Sequence, residues 1–155
     1  MRLIPILVIA AFAVPGYAQT KSSAEVFSGK DVASQMTTLV QAAMASGSSG
    51  ATLGDYKSHA IKLSVRTASG GAEVHAHYDD IFFVTLGKAT LVTGGTVIDP
   101  KTSSDGETKG RGIRNGRSQT IAKGDVVHIS AGTPHQLILL PGSVYGAIVI
   151  KVRED

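Results

Sequence analysis

The stretch VHAHYDDIFFVTLG, Val74 to Gly87, decides how the rest of the chain is read. Two of the chain's five histidines stand one residue apart in it. A carboxylate follows, and an apolar run then ends at a glycine. Side chains alternate across a β-strand, so residues two apart share a face. On a strand, His75 and His77 therefore project to one side. Asp80 follows a short turn at Tyr78–Asp79 and shares a face with Phe82, Val84 and Leu86. If the chain doubles back there, Asp80 meets both imidazoles. Either such a site holds a metal, or the core carries polar groups that need another partner.

Working outward, the character of the chain is β-rich from His59 on. HAIKLSVRT alternates, and IFFVTLG, KATLVTGG, TIAKGDVVHIS, HQLILLPG and VYGAIVIKV follow as short apolar runs punctuated by Gly, Pro, Asp and Ser. Repeated short strands with turn signals predict an all-β sandwich or closed barrel. A further imidazole, His135, stands at the head of one such run in GDVVHISAGTPHQLIL. The polar, Gly-rich segment from Asp99 to Gln119 reads as a solvated excursion between strands.

The two histidine segments resemble the paired motifs of the cupin superfamily. The first motif is carried by Gly70 or Gly71, His75-x-His77, Asp80 and, six residues on, Gly87. The second is carried by Gly124, then Ser130-x-Gly132, two residues and His135. The likeness covers roughly Ile61 to Val152. Three positions depart from the family pattern: Asp80 replaces the usual Glu with a spacer one residue shorter, Ser130 replaces a proline, and Leu139 replaces an asparagine. The resemblance implies a cupin-type jelly-roll β-barrel in which His75, His77, Asp80 and His135 converge on one metal. The shorter Asp80 either reaches that metal or orients a histidine from behind.

Imidazoles with one carboxylate suit Zn, Mn, Fe, Ni or Cu better than Ca or Mg. Phe82, Val84, Leu137 and Leu139 are expected to form an apolar pocket around the metal, with His128 at its mouth or on the surface. Asp79 reads as a turn residue and is the alternative ligand if Asp80 faces outward. His59 is expected to be an ordinary exposed residue.

The segment SGKDVASQMTTLVQAAMASG reads as an N-terminal helix. Val32, Met36, Val40 and Met44 recur at one-turn spacing, Ser28 or Asp31 caps its start, and Gly47 lies past its end. GSSGATLGDY then reads as a loop. The runs around Phe82 and Leu137 are apolar on both faces, so both faces are covered. The helix, through Val32, Met36 and Val40, or a second copy in a homodimer, takes the outer one.

MRLIPILVIAAFAVPGYAQT has the tripartite pattern of a cleaved export signal: Arg2, an apolar run from Leu3 to Ala13, then small Gly16 and Ala18. The division expected is 1–18 leader, 19–56 helix and linker, and 57–155 barrel. No stable membrane span remains after cleavage, and the product is periplasmic or secreted. The 155 residues suffice for one domain with its own core. Fifteen basic against 12 acidic residues leave +3 without an aromatic-interleaved basic stripe, so no nucleic-acid partner is expected. The absence of cysteine excludes thiolate chemistry and disulfides. No nucleophilic triad, phosphate loop or dinucleotide fingerprint stands out.

Three functions remain open at this point. One is a metal-dependent enzyme acting by oxidation, isomerisation or decarboxylation on a small chelating molecule. The second is a non-catalytic barrel for sensing, storage or carriage in the cell envelope. The third is a purely structural barrel.

Overall fold

The computed structural model describes residues 24–154; the expected export signal lies outside them. One helix, α1 (Gly29–Ser46), precedes twelve strands: β1 (Ser48–Asp55), β2 (His59–Arg66), β3 (Ala72–His75), β4 (Tyr78–Thr93), β5 (Thr96–Ile98), β6 (Lys101–Thr102), β7 (Glu107–Gly110), β8 (Gly112–Arg114), β9 (Arg117–Ala122), β10 (Val126–Ile129), β11 (His135–Ile138) and β12 (Tyr145–Arg153).

The 16-residue β4 organises the barrel because it belongs to two sheets. Its first half pairs with β12 and β10, its second half with β11 and β9, all antiparallel. One sheet therefore runs β1-β2-β12-β4-β10, and the facing one β9-β4-β11-β3-β7-β6. The strand turns the corner at Gly87, whose φ is 63°. A Cβ there would stand 1.8 Å from the Val144 carbonyl oxygen, so only glycine fits. A register shift at Gly146/Ala147 on β12 accompanies the bend. The sheets curl around a core that includes Phe82, Val84, Leu91, Ile121, Leu137 and Tyr145.

Ser28 caps α1 by accepting from the Asp31 N–H at 3.1 Å. Gly47, in the left-handed region at φ 85°, ends it by donating to the Ala43 carbonyl. The helix packs on the outside of β1 and β2. The Ser49 and Thr67 hydroxyls donate to the Leu39 and Ala43 carbonyls, which draws the last turn close to the sheet. A methyl is what fits there: Ala43 is fully buried, whereas Met44, placed by periodicity in the apolar stripe, is 66% exposed. Val32, Met36 and Val40 are half-buried and form a shallow groove with Thr85 and Leu86.

GSSGATLGDY is not a loop, as its composition suggested, but mostly the edge strand β1. Pairing with β2 holds it in place of apolar alternation. The Asp99–Gln119 segment likewise carries short strands, and β7 pairs with β3, the strand that bears His75. On β2 the apolar residues Leu63 and Val65 are buried, while Lys62, Ser64 and Arg66 face the barrel interior.

Candidate metal centre

Three strand ends meet at one point. Glu73 and His75 share a face of β3, and Glu73 stands opposite His135, the first residue of β11. Asp80, near the start of β4, stands opposite Lys151 of β12. One ligand atom from each of Glu73, His75 and His135 lies within 4.8 Å of the other two. Asp80 Oδ2 stands 3.1 Å from His75 Nε2 and 3.7 Å from His135 Nε2, and Asp80 Oδ1 accepts from Lys151 Nζ at 2.8 Å. Against the usual rule for charged residues, His75, Asp80 and His135 are 8%, 3% and 4% exposed.

The outer nitrogens of both rings are committed elsewhere. His135 Nδ1 donates to the Thr133 carbonyl at 3.0 Å, and His75 Nδ1 donates to the Glu107 carboxylate. Each neutral ring thus turns an Nε2 lone pair toward the carboxylates of Asp80 and Glu73. Lone pairs facing lone pairs in a buried site call for a cation between them. Without one, the positive charges at hand among the described residues are a proton on an imidazole, the Lys151 ammonium beside Asp80 and the Arg66 guanidinium 3.8 Å from Glu73. Burial works against charge on His75, yet Asp80 and Glu107 outweigh it and raise its pKa above the ordinary imidazole value. Burial lowers that of His135, only partly opposed by the Thr133 carbonyl. Burial would raise Asp80, but His75 and Lys151 outweigh it and hold the carboxyl below its ordinary value.

No protein-family model matches the chain, and no curated protein matches it in sequence. Solved structures do match. The cupin domain of Schizosaccharomyces pombe Cnp3 aligns with 69% of this chain and 65% of its own, at 12% identity and a TM-score of 0.52. The fold is that of a cupin. The DMSP lyase DddQ from Ruegeria pomeroyi DSS-3 is similar at TM-score 0.50 and 18% identity, over 70% of this chain. This chain spans about half of DddQ, 47% of its length. The polyketide cyclase RemF from Streptomyces resistomycificus aligns at TM-score 0.51 and 17% identity over 68% of this chain and 65% of its own. At these identities the likeness is one of fold.

Within the cupin barrel the expected residues separate into two groups. His75, Asp80 and His135 come together; His77 does not join them. β3 ends at His75, so the same-face rule stops applying there. His77 lies exposed in the bend before β4, its ring beside Gly106 and its carbonyl accepting from the Glu154 N–H. Residue 73 takes the place two removed from His75 along the strand. The pair that faces the cluster is Glu73-x-His75, shifted by two from His75-x-His77. The same alternation rule, run toward the N-terminus, would have found Glu73.

A cavity of about 690 Å³ opens onto the cluster. Phe82 and Leu137 line it, but Val84 and Leu139 are packed in the core and do not. The expected apolar pocket is charged as well, because β2 and β12 turn Lys62, Arg66, Lys151 and Arg153 into it. His128 is not at its mouth either. It shares the outer face of β10 with exposed Val126, while Ile129 takes the inner one, and it bonds Asp79 at 2.8 Å. That bond, with the Ala131 N–H, holds Asp79 below its ordinary pKa. Glu107, in the segment read as solvent excursion, and Lys151 were missed; neither carries a local motif. The donor set of two imidazoles and two carboxylates, with both rings anchored from behind, fits a divalent transition metal.

Proposed function

We propose that this chain is a metal-binding cupin that takes a small chelating organic molecule in its barrel. The observation that carries this reading is the orientation of His75 and His135. Both are buried, both are anchored through Nδ1, and both direct Nε2 at Asp80. His75, His135, Asp80 and Glu73 would hold the ion. When bound, a divalent transition metal supplies a Lewis acid with open positions for a chelating carboxylate, enediol or hydroxy-keto group. Phe82 and Leu137 would pack the carbon skeleton and limit water around it, while Glu107 and Thr133 keep the rings from turning. Cupin structures similar to this one include a lyase and a cyclase, and we assign this chain to metal-dependent chemistry of the oxidation, isomerisation or decarboxylation type. The leader-like N-terminus supports export to the periplasm or beyond.

Elemental analysis of protein purified without a histidine tag tests the first step; about one equivalent of Mn, Fe, Co, Ni, Cu or Zn is expected. Cobalt-substituted protein tests the second, because a chelating hydroxy acid shifts its visible spectrum. Turnover of hydroxy- or keto-acids, lost in His135→Ala, then separates an enzyme from a carrier. Protein that takes up no metal at neutral pH overturns the reading.

A further inference from the structure

We propose that the molecule taken at this centre carries a second anionic group, received on the wall that β2 and β12 build. The ligand class, a short-chain dianion, rests on the metal reading above and narrows it.

The wall sets cationic side chains among the apolar ones that alternation would turn inward. On β2, Lys62, Ser64 and Arg66 line the cavity together with Ala60 and Leu63, while buried Val65 does not. On β12, Lys151 and Arg153 line it too. Five cationic side chains line the cavity against four carboxylates. Three of those carboxylates, Glu73, Asp80 and Glu107, gather on His75. Two of the three are metal ligands in the reading above, and they are also the partners of Arg66 and Lys151. An ion drawing on Glu73 and Asp80 therefore leaves Arg66 and Lys151 less neutralised. Lys62 and Arg153 make no ion pair among the described residues. A neutral ligand would cover these cations without replacing their water, which costs free energy.

The spacing sets the size of the dianion. Lys151 stands opposite Asp80, beside the centre. Arg153 follows two residues on along the same face, and Lys62 stands opposite Val149, two residues back. Two residues of strand rise about 7 Å, so a ligand with one end at the centre meets Lys62 or Arg153 with a carboxylate at the other end. Arg153 is held ready: its Nη2 donates to the Tyr78 hydroxyl at 3.1 Å, and its guanidinium lies 5.6 Å from the centre of that ring.

Malate and lactate make the test, since both chelate through the same α-hydroxy-carboxylate and only malate has the second carboxylate. Their dissociation constants are measured on the manganese-loaded full chain, with metal content determined in parallel. Malate should bind about tenfold more tightly, a typical gain for partly desolvated charge pairs. The preference should weaken with salt. Lys62→Gln combined with Arg153→Gln should remove it while leaving lactate affinity unchanged, which also shows that the variant is folded. Equal affinities, a preference that survives in the double variant, or binding of neither acid by metal-loaded protein overturns the proposal. If no manganese is retained, the metal reading itself has failed and the ligand class falls with it.

Discussion

At the scale of single residues, the centre turns on which atoms are already spoken for. Glu107 is the clearest case, because it touches no ion directly in this reading and acts by holding His75 Nδ1. Glu107→Gln should weaken metal binding about 10- to 100-fold, the usual effect of removing a carboxylate behind a ligating histidine; competition with a chromophoric chelator measures it. Tyr145 carries the opposite lesson. Its hydroxyl is buried without a hydrogen-bond partner among the described residues, and burial raises its pKa well above 10.0. Tyr145→Phe should therefore stabilise the fold by about 1 kcal/mol at neutral pH. The sign with pH follows. A raised folded pKa means stability that is intact below the unfolded value and is lost as pH climbs past about 10. Denaturant titrations at pH 8 and pH 11 should show the wild type losing more stability than Tyr145→Phe; equal losses would sink the assignment. Of the residues at the centre, His75, Asp80 and His135 were legible as spaced motif positions. His77 stands apart from them because β3 ends at His75, which two histidines alone do not reveal, and Glu73 was hidden because nothing marked where β3 began.

At the scale of elements, alternation showed where the strands are but not which face each turns inward. HAIKLSVRT reads equally well with Leu63 and Val65 in the barrel or outside it. Both are buried on the strand that α1 packs against, and the cavity receives Lys62 and Arg66 as well. The helix itself was legible from its cap and period, although its buried line ends on Ala43 rather than Met44. Gly87 was legible only as a motif position; its reason is the corner of β4. Gly87→Ala should cost at least about 3 kcal/mol, combining a clash with a backbone oxygen and a strained φ. Gly124→Ala is the control. Its φ is also positive, at 99°, but a Cβ there meets nothing within 4 Å, so the cost should be about 1 kcal/mol. Similar denaturation midpoints for the two variants would contradict the corner role of Gly87.

At the scale of the whole molecule, His75 and His135 lie 60 residues apart in sequence but on neighbouring strands of one barrel, with 5.0 Å between ring centroids. The order of the two segments and their flanking strands made that fold readable. The charge of the cavity was not readable, since it comes from β2, β7 and β12, which no motif links. A centre built from three parts of the chain should also tie stability to the ion. At metal 100-fold above its dissociation constant, folding should gain about 2.7 kcal/mol, seen as a rise in Tm that EDTA reverses and His135→Ala abolishes. The most direct measurement is calorimetric titration of manganese or zinc into wild type, His135→Ala and His77→Ala. One site is expected in wild type and in His77→Ala with similar affinity, and none of comparable affinity in His135→Ala. Loss of binding in His77→Ala, or its survival in His135→Ala, would contradict the centre described above.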